Sequence, residues 1–170
     1  MSCEEFVDIV DVSDGVLGSK ARSRLVDGVD RWRIVVLCIL SADRQRVLLV
    51  RRASTKRHDP GRWAPPVAGT VASGDTYDET ILRETIEEIG VAVPLDQLAV
   101  VHHAPLDAGD ALRNAVVYLL VSDVDLAGIV LDPAEADHVA WFDLDSVLHG
   151  ALGDSAVPTL ARVLRCVRPV

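Results

Sequence analysis

Three carboxylates, Glu84, Glu87 and Glu88, fall at spacings i, i+3 and i+4, which gathers them on one side of a helix. Held that close they repel one another by about 1 kcal/mol per pair in water, and by more where partly desolvated. A chain shaped by stability alone would alternate their signs. A hard divalent cation resolves the conflict. Mg²⁺ prefers oxygen ligands, keeps several waters and joins one or two carboxylates to substrate phosphates. Bound there, it would polarise a diphosphate and lower the pKa of a bound water. A glutamate left free of metal could take the proton of the attacking water. The same spacing is also common on solvated acidic helix faces, so the surrounding residues must decide between the two.

A second group could bind the substrate. Arg51, Arg52, Lys56, Arg57 and Arg62 concentrate positive charge just upstream in a chain of net charge −9. Such a cluster holds phosphate groups or simply solvates a loop; Arg52 and Lys56 are the residues selected as substrate-binding. Trp63, behind Pro60-Gly61, is expected to fill the core beneath that loop. His102 and His103 are adjacent on a strand and face opposite sides, which makes them a poor metal pair.

These groups need elements to position them. Asp75–Ile89 reads as a helix, with Thr76 as N-cap, Glu79 closing a capping box and Gly90 ending it. Leu82, Ile86 and Ile89 form its expected inward face, with Thr85 at the border and the glutamates opposite. Arg31–Leu40 reads as a buried β-branched strand and Val47–Arg52 as a second strand in a hairpin with it. Ala53–Pro66 reads as a loop. Further strands are expected at Leu98–His103, Asn114–Ser122 and His138–Phe142. A short helix capped by Asp143 should end near Gly150. A last helix follows Pro158, with Leu160, Val163, Leu164 and Val167 on one face. This order predicts an α/β sandwich.

The helix and its flanks, from Gly69 to Val91, resemble the Nudix signature G-x5-E-x7-R-E-U-x-E-E-x-G-U, where U is a bulky aliphatic residue. Gly69, Arg83, Glu84, Glu87, Glu88, Gly90 and Val91 fall on the pattern. Asp75 stands in place of its first glutamate and Thr85 in place of an aliphatic residue. The upstream run Arg52, Lys56, Pro60, Gly61 and Trp63 is similar to Nudix proteins of the isopentenyl-diphosphate isomerase-like subgroup. Asp8–Asp11 and Ile34–Leu40 fit it loosely, and the resemblance covers roughly residues 5–150.

The resemblance implies an α/β/α sandwich with a mixed β-sheet, and a Mg²⁺- (or Mn²⁺-) dependent hydrolase. Its expected reaction is cleavage of a phosphoanhydride in a nucleoside-diphosphate-linked or related small molecule. It implies metal ligation by Glu87 and Glu88, with Glu84 as ligand or general base. A main-chain carbonyl at Ala68 or Gly69 could add a ligand, and Glu135, on a later loop, is the candidate further acid. Arg83 would orient the glutamates, and its i,i+4 spacing allows a pair with Glu87. Pro105 lies near a proline that marks some ADP-ribose-cleaving members and assigns no substrate by itself. Two alternatives stand beside the hydrolase. An isomerase of isopentenyl diphosphate would need the catalytic cysteine and metal-binding histidine of those enzymes, where this chain has Ala68 and Thr70. A non-catalytic nucleotide-binding module would keep the fold without turnover.

Length and composition bound the rest. The 170 residues suit a single domain, with residues 1–30 as an edge strand or a loose extension. No apolar run approaches the ~20 residues of a membrane span. Glu4, Glu5 and Asp8 occupy the positions where a signal peptide would be basic, so a cytoplasmic location is expected. The acidic balance disfavours nucleic acid and anionic membranes as partners. Cys3, Cys38 and Cys166 are scattered and read as free thiols. A homodimer is the base-rate expectation.

Overall fold

The computed structural model describes residues 4–168, so Cys3 lies outside the described residues. Its elements are β1 (Phe6–Val10), β2 (Val16–Ala21), β3 (Arg31–Leu40), β4 (Arg46–Arg52), β5 (Trp63–Ala64), β6 (Val67–Thr70), α1 (Tyr77–Ile89), β7 (Ala99–Pro105), β8 (Leu112–Val121), β9 (Ala136–Asp143), α2 (Leu144–Leu148) and α3 (Leu160–Val167). The strands form one mixed sheet. Among the described residues no helix is long and apolar enough to cross a membrane.

β3 is the spine of the sheet because its side chains are apolar on both faces. Val35, Leu37 and Ile39 belong to one core cluster with Ile81 and Ile89 of α1. Val36, Cys38 and Leu40 belong to another with Val147 of α2 and Leu160, Val163, Leu164 and Val167 of α3. The sheet therefore lies between α1 on one side and α2 with α3 on the other, an α/β/α sandwich. Cys38 is sealed in this core, which pushes its thiol pKa up.

The expected hairpin of β3 with β4 forms at only two positions, Ile39↔Leu48 and Leu40↔Val47. Beyond them the strands diverge. One edge of β3 runs parallel to β8 from Arg31↔Leu112 to Leu40↔Val121. Its other edge takes β6, from Ile34↔Thr70 to Leu37↔Val67. β4 turns away to β9 and β5. The residues read as a plain loop, Ala53–Pro66, thus contain β5, and the start of the signature is itself a strand, β6. Trp63 on β5 packs edge-on against Phe142 at 4.7 Å, filling the core as expected.

Of the first 30 residues, Phe6–Val10 and Val16–Ala21 pair as a hairpin at the edge of the sheet beside β3, the edge-strand alternative and not the loose extension. Its turn holds Asp14 at φ 70°, with the Asp11 carboxylate accepting from the Ser13 and Gly15 N–H groups. Arg33 of β3 clamps that turn, donating to the Asp14 carboxylate at 2.9 Å and its carbonyl at 2.7 Å.

One helix face differs from expectation. α1 buries Ile81, Thr85 and Ile89, while Ile86 is 55% exposed. Thr85, expected at the border, is 1% exposed. It tolerates this because its hydroxyl donates to the Ile81 carbonyl at 2.6 Å, leaving no unpaired polar group. Centring the buried face on Thr85 puts Glu88 only about 60° from it at 100° per residue. Glu88 consequently lies on the flank of the packed face, not opposite it.

Candidate active site

α1 starts and stops where its local chemistry requires. Thr76 accepts from the Glu79 N–H at 3.2 Å, and Glu79 accepts from the Thr76 N–H at 2.9 Å. Gly90 ends the helix at φ 69°, where a Cβ would lie 2.9 Å from the Val130 Cβ, so both conformation and space demand glycine. This fixes the azimuth at which the glutamates leave the helix.

Gly69 on β6 faces them. A Cβ at Gly69 would stand 2.5 Å from Glu84 Cγ and 2.6 Å from Cδ, so the missing side chain is the seat in which Glu84 lies. Arg83 steadies the same group from the other side. Its guanidinium donates to Asp75 at 2.7 Å and approaches Glu84 at 3.7 Å. Asp75 therefore reaches the arginine despite its shorter side chain. The expected pair of Arg83 with Glu87 is not among the ion pairs of the described residues; Asp75 and Glu84 take the guanidinium instead.

The acids are electrostatically crowded. Burial, then the neighbouring Glu87, raises the Glu84 pKa, against the attraction of Arg83. Glu88 is pushed up to about 8, first by burial and then by Glu135 and Glu84. The Ala68 N–H, donating at 3.3 Å, and the charge of Lys56 oppose that rise. Glu135, from the loop before β9, thus stands beside Glu88. Its carboxylate is held by Lys56 at 2.5 Å, so two residues singled out separately in the sequence are partners.

All of these line one cleft of about 740 Å³, together with Arg52, whose Nε donates to the His58 carbonyl at 3.1 Å. Of the basic cluster, Arg51 and Arg62 do not contribute: Arg51 pairs with Asp137 at 2.7 Å and Arg62 with Asp59 at 3.5 Å. The cleft also contains an ion pair that sequence reasoning missed, Arg22 with Glu5 at 2.7 Å. Both come from the N-terminal hairpin, and no local pattern there announces a site. Of the two adjacent histidines, the His102 ring contacts the Ala104 carbonyl and His103 lies edge-on to Tyr77.

Among the described residues, no three acidic, histidine or cysteine side chains converge closely enough to cage an ion by themselves. The donors are nevertheless all hard oxygens, in a cleft also lined by five cationic side chains, Arg22, Arg52, Lys56, Arg57 and Arg83. That suits an ion which keeps most of its shell as water and phosphate oxygen.

The arrangement has relatives. The family model described as NUDIX domain matches residues 31–163. A prenyl-diphosphate phosphatase of Methanosarcina mazei is 38% identical over 143 residues, spanning 84% of this chain and 81% of that protein. An uncharacterized Nudix hydrolase of Streptomyces coelicolor is 31% identical over 156 residues, spanning 90% of this chain and 82% of that protein. A crystal structure from Deinococcus radiodurans superposes with a TM-score of 0.77 at 26% identity, over 96% of this chain and 100% of that one. A family match extending from β3 into α3, and the sandwich that carries it, show that the chain belongs to the Nudix family of pyrophosphohydrolases.

Proposed function

We propose that this protein is a Mg²⁺- (or Mn²⁺-) dependent hydrolase that cleaves the phosphoanhydride bond of a nucleoside-diphosphate-linked or related small molecule. The observation that carries the reading is the burial of Glu88 beside Glu84 and Glu135, which lifts its pKa to about 8 in a cleft that also holds Arg52, Lys56 and Arg83. Like charges gathered at a helix flank are costly unless a cation joins them.

Glu87 and Glu88 would hold the ion, with Glu135 as a further ligand and Glu84 as a third where it is not the base. When bound, the metal supplies Lewis-acid polarisation of the diphosphate and a water of lowered pKa. The chain's own residues do the rest. Glu84, with its raised pKa, is suited to accept a proton from the attacking water, and Glu87 shares that face. Arg83, anchored by Asp75, keeps Glu84 in its seat on Gly69. Arg52 and Lys56 would bind the phosphates, Lys56 exchanging Glu135 for a phosphate oxygen.

The isomerase reading lacks its acid: Ala68 carries no thiol, and neither Cys38 nor Cys166 lines the cleft. The Methanosarcina relative is named for prenyl diphosphates, which puts these compounds in the same test. The proposed setting is the cytoplasm, with a small-molecule partner, no nucleic acid or membrane, and a homodimer that light scattering would check.

The experiment is a hydrolysis panel with Mg²⁺ or Mn²⁺. It includes nucleoside triphosphates, ADP-ribose, dinucleoside polyphosphates, nucleotide sugars and prenyl diphosphates. Turnover should vanish in EDTA and drop by ~10²-fold or more in Glu87→Gln, the scale typical of losing one preorganised electrostatic group. Absence of metal-dependent turnover across the panel, or a Glu87→Gln variant equal to wild type, would overturn the proposal in favour of a binding module.

A further inference from the structure

Among the described residues β6 has no strand beyond it along the edge turned away from β3, and Ala68 sits on that rim, bordering two spaces at once. One is the catalytic cleft. The other is a groove of about 230 Å³ on the α3 face of the sheet. Ala68 pairs with Val36 across β3 and β6, so their side chains share that face. The groove walls are mostly aliphatic, with Val36, Leu106 and Val163 at the base and Arg52, Asp59, Arg113 and Thr159 as the polar exceptions. A small hollow of about 30 Å³, bordered by Arg52, Ala68, Glu88 and Glu135, lies between groove and cleft. Arg52 and Ala68 border all three spaces, which makes the groove and the cleft neighbours across these two residues.

We infer that this groove holds the hydrocarbon tail of the substrate, so that the diphosphates preferred by this enzyme are those of short alkyl or prenyl alcohols. The inference rests on the diphosphate hydrolysis proposed above and names its substrate class. Three observations converge on it. Val36, Ala64, Leu106 and Val163 present core-like apolar surface to a space that opens beside the phosphate-binding side chains. Among the described residues no Phe, Tyr or Trp lines groove or cleft, so a nucleobase finds no large aromatic face to stack on, whereas an alkyl chain meets a mostly aliphatic wall. The size also fits. At ~30 Å³ for a water-sized group, the groove takes about eight methylene-sized groups, which corresponds to a chain of five to ten carbons. Arg52, fixed at the junction by the His58 carbonyl, is placed to hold the diphosphate where the tail turns out of the cleft.

Affinity should then rise with tail length, by up to about fourfold for each buried methylene. The test measures calorimetric binding of methyl, isopentenyl and geranyl methylenebisphosphonates to the full chain with Mg²⁺. Geranyl should bind at least ~10²-fold tighter than methyl, with a negative heat-capacity change that the methyl compound lacks. Ala111→Trp, in the turn that walls the groove, should abolish the dependence on tail length and leave methyl binding unchanged. Ala108→Leu is a milder filling of the same wall and should halve the logarithmic gain if the larger variant fails to fold. Equal affinities along the wild-type series, or a gain that survives both fillings, would overturn the inference. Turnover of the whole panel by the same preparations separates the two ideas. Hydrolysis of nucleotides with no gain from a tail removes the groove and keeps the hydrolase. Tail-dependent binding without any hydrolysis keeps the groove and removes the hydrolase.

Discussion

Replacing Glu88 by glutamine probes the electrostatics of the cleft without any knowledge of substrate. In the folded, metal-free protein this carboxyl titrates near 8, against an ordinary value of 4.5, because burial and the neighbouring Glu135 and Glu84 disfavour its charge. The native state therefore holds a proton that the unfolded chain has released. The associated stability is fully present below about pH 4.5 and is lost as the pH rises through 8. At ~1.36 kcal/mol per pH unit, the interval from 4.5 to about 8 sets a ceiling of about 5 kcal/mol. Relaxation and water entry reduce this, and about 2–3 kcal/mol is expected at the effective dielectric of such sites. Against a net stability of ~5–15 kcal/mol that is readily measured. Glutamine keeps the shape and can still accept from the Ala68 N–H. Urea unfolding in EDTA should find wild type and Glu88→Gln within about 0.5 kcal/mol at pH 5, and the variant more stable by about 2–3 kcal/mol at pH 9. Saturating Mg²⁺ should reverse the order at pH 8, since ligand linkage favours only the protein that can bind the ion and give up the proton. Parallel pH profiles for the two proteins in EDTA would refute the reasoning, whatever the enzyme's activity.

Two further substitutions address the supports of Glu84. Gly69→Ala puts a Cβ 2.5 Å from Glu84 Cγ, and should lower kcat by about 10–10²-fold while costing about 1–3 kcal/mol in thermal or urea unfolding; turnover at the wild-type rate would show that the seat on β6 does not matter. Asp75→Ala releases Arg83 from its 2.7 Å partner and should cost about tenfold in kcat/KM, whereas Asp75→Glu should preserve or raise it; kinetics of Asp75→Ala indistinguishable from wild type would uncouple the position from the site.

The parts of this protein legible in its sequence are those set by near neighbours. The capping box at Thr76 and the left-handed cap at Gly90 are local bargains between a side chain or a missing Cβ and the helix backbone, and both stand as read. β3 is legible because apolar residues on both faces admit only a central strand. The misreadings share a different cause. Hydrophobicity put Ile86 inside and Thr85 at the edge. A threonine whose hydroxyl satisfies itself on the preceding turn counts as apolar for packing, and no local pattern announces that β6 will take the edge of β3 from Ile34 to Leu37. The Lys56–Glu135 pair and the Arg22–Glu5 pair join residues 79 and 17 positions apart. Each is made by topology: the first by β4 leaving β3 to run beside β9, the second by the return of β2 along β1.

That distinction bears on how the site works. The glutamate spacing on α1 supplies the charges, but the spacing alone is equally good for a solvated helix face. What separates the two is the rotation of α1 that buries Thr85 and carries Glu88 toward the sheet, and the divergence of β3 from β4 that brings Glu135 beside it. Neither event is visible in a helical wheel. Exposed to water on the opposite face, as the hydrophobic pattern suggested, Glu88 would repel its neighbours by only ~1 kcal/mol each and leave little reason to gather a cation. Pressed against β6 and Glu135, it keeps a proton until a stronger positive charge displaces it. On the proposed reading the acidic motif is made competent by packing, and Thr85, which departs from the aliphatic pattern and does not line the cleft, sits at the pivot of that packing. Its hydroxyl bond to Ile81 is what lets the helix take this rotation without an unsatisfied polar group in the core.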